Sequence, residues 1–280
     1  MIEVDDGVQL WVECTGDGRG VPLVLCHGGP GLWDYLGPLA GLLDQDRLVV
    51  RWDQRGCGRS QGRHGPFTVD GHVADLDAIR TALGIDRWIV GGHSWGASLA
   101  LRSVLTHPIS AAGLLYLSGT GLGRSWHADY TAARRDRLTP EQFTRLEQLD
   151  ALDHRTDAQE REWRTLSWAP DFAARNSALE LASIDARAPW SINWESNTTI
   201  NGETKRWDHA ALLDACTRIA APTLMLHGAQ DPRPPYAIED VARAIPSAEV
   251  RIVDDVGHMP WLERPGAVMA VVDDWLDRIL

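Results

Sequence analysis

Cysteine and lysine are both scarce in this chain. Four cysteines, Cys14, Cys26, Cys57 and Cys216, occur among 280 residues without any C-x-x-C spacing. That excludes a disulfide scaffold, and the simplest reading is reduced thiols in a cytoplasmic protein. Lys205 is the only lysine, so arginine carries nearly all the positive charge; the skew reflects coding composition more than chemistry. Positive charge is also short overall. The net charge of −12 leaves no basic face for a phosphate backbone, which excludes nucleic acid as a partner. No apolar run approaches the roughly 18 residues of a membrane span. The opening Met1-Ile2-Glu3-Val4-Asp5-Asp6 is acidic, with neither the basic nor the apolar region of a signal peptide. The expectation is a cytoplasmic protein with no membrane partner.

What is present is globular composition, with 44% hydrophobic and 24% charged residues. A chain of this length can bury about three-quarters of its unfolded surface without staples. Thirteen tryptophans serve equally in cores and in pocket walls, so their number alone decides nothing.

Apolar runs of strand length alternate with helix-like segments. Gln9–Cys14 alternates as an edge strand would, and continuous apolar runs follow at 21–26, 47–52, 88–92 and 114–119. Short continuous runs separated by helical lengths predict strands buried on both faces, hence a mostly parallel sheet wrapped by helices. Composition changes near Gly121. From 122 to 218 the chain is polar and rich in arginine and tryptophan, with helical spacing at Pro140–Leu152, Asp157–Leu166 and Asp171–Ile184. The strand rhythm returns at Pro222–Gly228 and Glu249–Val253, with helices near Ala237–Ala244 and Ala267–Ile279. The chain therefore divides into an α/β core domain, 1–121 with 219–280, and a helical insertion, 122–218.

Gly92-His93-Ser94-Trp95-Gly96 fits G-x-S-x-G, after an apolar strand and before a helix start. That context belongs to a nucleophile elbow: a tight turn presents a serine hydroxyl at a helix N-terminus, and the flanking glycines let strand and helix approach. A serine hydroxyl needs a base, and the base needs an orienting acid, in the chain order Ser, Asp, His for this kind of site. Asp231, in Ala229-Gln230-Asp231-Pro232, and His258, in Gly257-His258-Met259, both follow predicted strands. His27, His93 and His227 are the competing histidines, each read as a loop or strand-end residue. An oxyanion hole would draw on the N–H groups of Trp95 and of Gly29, in His27-Gly28-Gly29-Pro30-Gly31. The sequence holds no phosphate-binding G-x-x-x-x-G-K-[ST] and no His/Cys cluster of metal spacing, so no cofactor and no metal are inferred.

Three stretches, His27-Gly28-Gly29-Pro30-Gly31, Asp53-Gln54-Arg55-Gly56-Cys57-Gly58-Arg59-Ser60 and Gly92-His93-Ser94-Trp95-Gly96, resemble the α/β-hydrolase family and, within it, the prolyl aminopeptidase (proline iminopeptidase) group. The resemblance implies an α/β-hydrolase fold with a helical cap inserted after the sixth strand. Ala188-Pro189-Trp190-Ser191-Ile192-Asn193-Trp194-Glu195 looks like that group's A-W-S-x-W-E stretch with one residue inserted. The resemblance implies that Glu195, flanked by Trp190 and Trp194, binds the substrate's free α-amino group. A second glutamate that the group carries further along the cap has no matching stretch here, where Glu203, Asp208 and Asp214 are the acids.

The expected activity is therefore that of a serine aminopeptidase releasing proline or another small N-terminal residue from a peptide or aminoacyl amide through an acyl-enzyme. The alternative is an esterase, lactonase or thioesterase on the same triad. Dehalogenase and epoxide hydrolase chemistry would need a carboxylate where this chain has Ser94.

Overall fold

The computed structural model describes residues 1–4, 6–60 and 65–279; Asp5 of the acidic opening lies outside them. Among the described residues the strands are β1 (Ile2–Glu3), β2 (Gln9–Leu10), β3 (Val12–Thr15), β4 (Leu23–Cys26), β5 (Val49–Trp52), β6 (Trp88–His93), β7 (Ala111–Leu117), β8 (Thr223–Gly228) and β9 (Ala248–Val253). A short antiparallel β1–β2 pair precedes a seven-stranded sheet ordered β3-β5-β4-β6-β7-β8-β9. That sheet is antiparallel only where β3 meets β5.

The helices are α1 (Gly37–Leu43), α2 (Val69–Ala82), α3 (Trp95–Thr106), α4 (His127–Asp136), α5 (Pro140–Asp150), α6 (Asp157–Trp168), α7 (Ala178–Ala186), α8 (Trp194–Thr204), α9 (His209–Cys216), α10 (Glu239–Ala244), α11 (Pro260–Glu263) and α12 (Pro265–Ile279). Among the described residues no helix is long and apolar enough to cross a membrane.

The continuous apolar runs are explained by burial on both faces. Within β4, Val24 and Cys26 pack with α2 and α3 on one side, while Leu23 and Leu25 pack with α1 and α12 on the other. Val90 and Ile89 of β6, and Tyr116 and Leu115 of β7, divide in the same way. Successive side chains on a strand point to opposite faces, so a strand covered on both sides shows no polar alternation.

Helices α4 to α9 lie between β7 and β8. The strand before them is the fifth of the large sheet and the seventh in chain order, not the sixth. The predicted Gln9–Cys14 strand splits at Trp11, with Gln9–Leu10 pairing β1 and Val12–Thr15 pairing β5. Leu138, Leu146, Leu149, Leu166 and Phe172 give this helical segment its own apolar cluster. The N-termini of α5 and α6 are closed by Thr139–Gln142 and Thr156–Gln159 capping boxes.

The predicted helix Asp171–Ile184 is not continuous. The chain is extended at Phe172 and re-enters helix at Ala178. Its backbone is engaged elsewhere: the Asp171 carbonyl accepts the His258 N–H at 2.7 Å, and the Ala173 N–H donates to Glu263 at 2.7 Å. Long-range pairing outweighs local helical spacing here.

Candidate active site

Strand β6 delivers Ser94 to helix α3 through a backbone at φ 56°, ψ −120°, a region that L-residues seldom occupy. Two glycines make the turn possible. A Cβ at Gly92 would lie 2.0 Å from the Gly96 carbonyl oxygen, and one at Gly96 would lie 2.0 Å from that of Cys26. The Ser94 N–H is spent on the Leu117 carbonyl at 3.0 Å. Trp95 opens the helix, where N–H groups have no intrahelical acceptor.

The loop after β4 packs against this elbow. A Cβ on Gly28 would meet Tyr35 Oη at 2.4 Å and Ser94 Cβ at 2.9 Å. Gly28 donates its N–H to Tyr35 Oη at 2.9 Å. Gly29 is left-handed, with φ 52°, and among the described residues its N–H has no hydrogen-bond partner. It lines the cavities on either side of Ser94.

His258 is held at three points. Its N–H donates to the Asp171 carbonyl at 2.7 Å. Its carbonyl accepts from His93 Nε2 at 2.8 Å. Its Nδ1 pairs with Asp231 Oδ2 at 2.6 Å. A carboxylate at Nδ1 fixes the proton there and leaves Nε2 unprotonated, as a base requires. Burial opposes the charge of Asp231. The His258 and His227 rings and Arg233 outweigh it and hold the carboxyl well below the usual carboxylate range. Ser94 and His258 line one cavity of about 160 Å³. Among the described residues no hydrogen bond joins them, a contact that in empty sites is often long.

The competing histidines are accounted for by their partners. His27 Nε2 accepts the Gln54 N–H at 3.1 Å, and burial pushes the ring down to about 4. His227 Nε2 donates to the Arg233 carbonyl at 2.7 Å. His93 does more than fill space. Because Nε2 must donate to the His258 carbonyl, Nδ1 accepts from Tyr35 Oη at 2.6 Å. Burial first, and then His258, keep this ring well below its ordinary value and neutral. The Gly28–Tyr35–His93 chain thus ties the glycine loop to the His258 backbone.

The Asp53–Ser60 loop is structural. Asp53 accepts from the Asp34 N–H at 2.6 Å and the Arg59 N–H at 2.7 Å. Arg55 forks onto Asp75 at 2.7 and 2.5 Å.

Glu195, Trp194 and Trp190 are not brought to Ser94, and their expected role is corrected. Glu195 is exposed and outside both cavity linings. Trp194 is 52% exposed and packs on Trp163. Trp190 backs Trp33 from behind the cavity wall, with ring centroids 6.1 Å apart. The reason is helical phase. Asn197, Asn201 and Thr204 form the site-facing stripe of α8. Glu195 precedes Asn197 by two residues, about 200° around the helix. Asn197 Nδ2 donates to the Pro30 carbonyl at 2.7 Å and Asn193 Nδ2 to that of Gly56 at 2.9 Å, which locks that phase.

The carboxylate that does face Ser94 is Asp185 of α7. Leu32, Trp33, Trp168, Phe172 and Met259 line the cavity with it. Burial pushes Asp185 up to about 6. Among the described residues its side chain has no hydrogen bond or ion pair. The other acid there, Asp171, is neutralised by Arg233 at 2.8 Å. Sequence reading missed Asp185 because a lone aspartate near a helix end carries no local signal.

Residues 21–265 match the family described as alpha/beta hydrolase fold. A proline iminopeptidase of Neisseria gonorrhoeae is 31% identical over 307 residues, covering 100% of this chain and 96% of that protein. A proline iminopeptidase of Heyndrickxia coagulans is 29% identical over 289 residues, covering 99% and 98%. The crystal structure of Mycobacterium smegmatis proline iminopeptidase superposes with a TM-score of 0.72 at 23% identity, covering 96% of this chain and 95% of that one.

Proposed function

Because the chain belongs to the proline iminopeptidase family of α/β hydrolases, we propose that it is a serine aminopeptidase whose substrate places its α-ammonium against Asp185 and its first carbonyl carbon at Ser94. The proposed nucleophile is Ser94 Oγ. His258 Nε2 takes its proton and passes it to the departing amine, while Asp231 keeps the imidazole in the required tautomer and stabilises its cation. The N–H groups of Gly29 and Trp95 receive the oxyanion. Water, deprotonated by the same histidine, then releases the free amino acid from the acyl-enzyme. Aromatic walls around a cavity of about 160 Å³ suit a small residue such as proline. Short soluble peptides as substrates accord with a cytoplasmic enzyme.

One observation carries the reading: an unpaired, desolvated carboxylate shares an aromatic cavity with Ser94 and His258. Such a group lowers fold stability unless a ligand cation compensates it. Asp185→Asn keeps the shape and removes the charge. It is expected to lower kcat/KM for free-amine aminoacyl substrates about 10- to 100-fold. Hydrolysis of p-nitrophenyl acetate, which has no amine, should hold, and N-acetylation of the substrate should reproduce the loss in the parent enzyme. Unchanged aminoacyl turnover in the variant would instead favour a substrate without an amine, an ester, lactone or thioester.

The pH dependence follows from the same residue. In the ratio of kcat/KM for an aminoacyl substrate to that for the neutral ester, the titration of the shared triad cancels. The ratio should fall as pH drops through about 6, where Asp185 becomes neutral, and Asp185→Asn should flatten it. Stability runs the opposite way. A folded-state value above the unfolded one means that stability is lost as pH rises from the ordinary carboxylate range through about 6. Asp185→Asn should therefore raise the Tm at pH 8.

A further inference from the structure

We propose that the second cavity beside Ser94 is a leaving-group subsite for a carboxylate, so that the preferred substrates are dipeptides and other very short peptides with a free C-terminus, recognised through Arg124. The inference rests on the aminopeptidase reading, which puts the acyl residue and its amine in the Asp185 cavity and leaves the opposite side of Ser94 for the departing amine.

The two cavities share Gly29, Ser94, Tyr130 and Arg233 but differ in charge. Asp171 and Asp185 line the first. The second, about 350 Å³, has no aspartate or glutamate among its described lining residues, although the chain carries a net charge of −12. Its cations are Arg124 and Arg233. Arg233 is already paired, with Asp171 at 2.8 Å and Asp231 at 3.6 Å. Arg124 has no ion pair among the described residues. Its one side-chain hydrogen bond among the described residues is from Nη2 to His127 Nδ1 at 3.5 Å. His127 is itself pushed down, by burial first and then by Arg124, Lys205 and Arg233. Beside a neutral ring the Arg124 charge stays uncompensated. The local field is positive, and a guanidinium there can take a carboxylate through two parallel hydrogen bonds. Ser98, Asn197, Asn201 and Thr204 add neutral hydrogen-bonding groups to the wall. Acids on one side of the nucleophile and an unpaired cation on the other match a zwitterion with its ammonium and carboxylate at opposite ends.

The test is calorimetric binding to the Ser94→Ala protein, which should hold peptide without cleaving it. The ligands are prolyl-glycine, its C-terminal amide and its N-acetyl derivative. The free acid should bind about five- to tenfold more tightly than the amide, a modest factor because Arg124 is reached by solvent. That difference should shrink as ionic strength rises. Adding Arg124→Gln should bring acid and amide to the same Kd, and Arg124→Lys should restore part of the gap. Equal affinities for acid and amide, failure of both to bind, or a gap that survives Arg124→Gln would overturn the subsite. N-acetylation reports separately on the amine side. If acetylated and free peptides bind alike while the acid–amide gap persists, the Asp185 reading falls and the anion subsite stands.

Discussion

Replacing Ser94 with alanine is expected to lower kcat/KM about 10⁴- to 10⁶-fold on aminoacyl and ester substrates alike, leaving the remnant that binding and an oxyanion hole supply. The substitution removes one oxygen and keeps the Cβ. The strained backbone at φ 56° already accommodates a Cβ, and the glycines at 92 and 96 that permit the turn are untouched. The thermal transition should therefore stay close to that of the parent, separating lost chemistry from lost fold. Labelling by a fluorophosphonate should disappear in the variant. Ser98 lines the neighbouring cavity one helical turn on and is the control nucleophile. Retained activity with undiminished labelling there or at another serine would show that the attacking oxygen lies elsewhere.

Asp231→Asn is expected to lower kcat about 10³- to 10⁴-fold at neutral pH while leaving KM nearly as it was. The carboxylate accepts from His258 Nδ1 at 2.6 Å. An amide can instead turn its NH₂ toward that nitrogen, which moves the ring proton to Nε2 and leaves nothing to receive the proton of Ser94. The charge is lost as well, so the imidazolium formed during attack has no counter-ion. The other oxygen accepts the Arg233 N–H at 2.8 Å, which the asparagine can preserve, and the loop geometry should survive. Stability should fall with the charge. A carboxyl held below its unfolded value stabilises the fold above the ordinary carboxylate range, and that contribution disappears only in strong acid. The variant should thus unfold at lower urea than the parent at pH 7, and the gap should close as pH falls. A variant with normal kcat would remove Asp231 from the mechanism.

The two substitutions differ in what they leave behind. Ser94→Ala should keep the pH-dependent stability of the parent because Asp231 remains. Asp231→Asn should keep a serine that labels slowly. A double variant should be scarcely slower than Ser94→Ala alone, since residues acting as one unit do not add.

Local sequence determined the sheet and the positions of Ser94, Asp231 and His258 within it. Apolar runs buried on two faces have no other stable arrangement in a chain this long. A serine between two glycines at a strand end can turn into a helix only through a tight elbow, and the two later residues follow strands whose carboxyl ends meet at the same edge. Those are short-range constraints, so they are written in short stretches of residues. The proposed substrate contacts were decided by tertiary structure. The tryptophan-rich string ending at Glu195 carries the composition of an amine site. The phase at which α8 docks, through Asn193 onto the Asp53–Ser60 loop and through Asn197 onto the glycine loop, turns Glu195 to solvent. Asp185 gains its character from what surrounds it, since its raised pKa reflects burial without a partner, a property of packing between distant segments. The break at Phe172 has the same origin: the loop of His258 claims the Asp171 carbonyl and Glu263 claims the Ala173 N–H. Helical spacing cannot encode a hydrogen bond to a residue 87 positions later in the chain (171 to 258), whereas a folded sheet edge brings the two together.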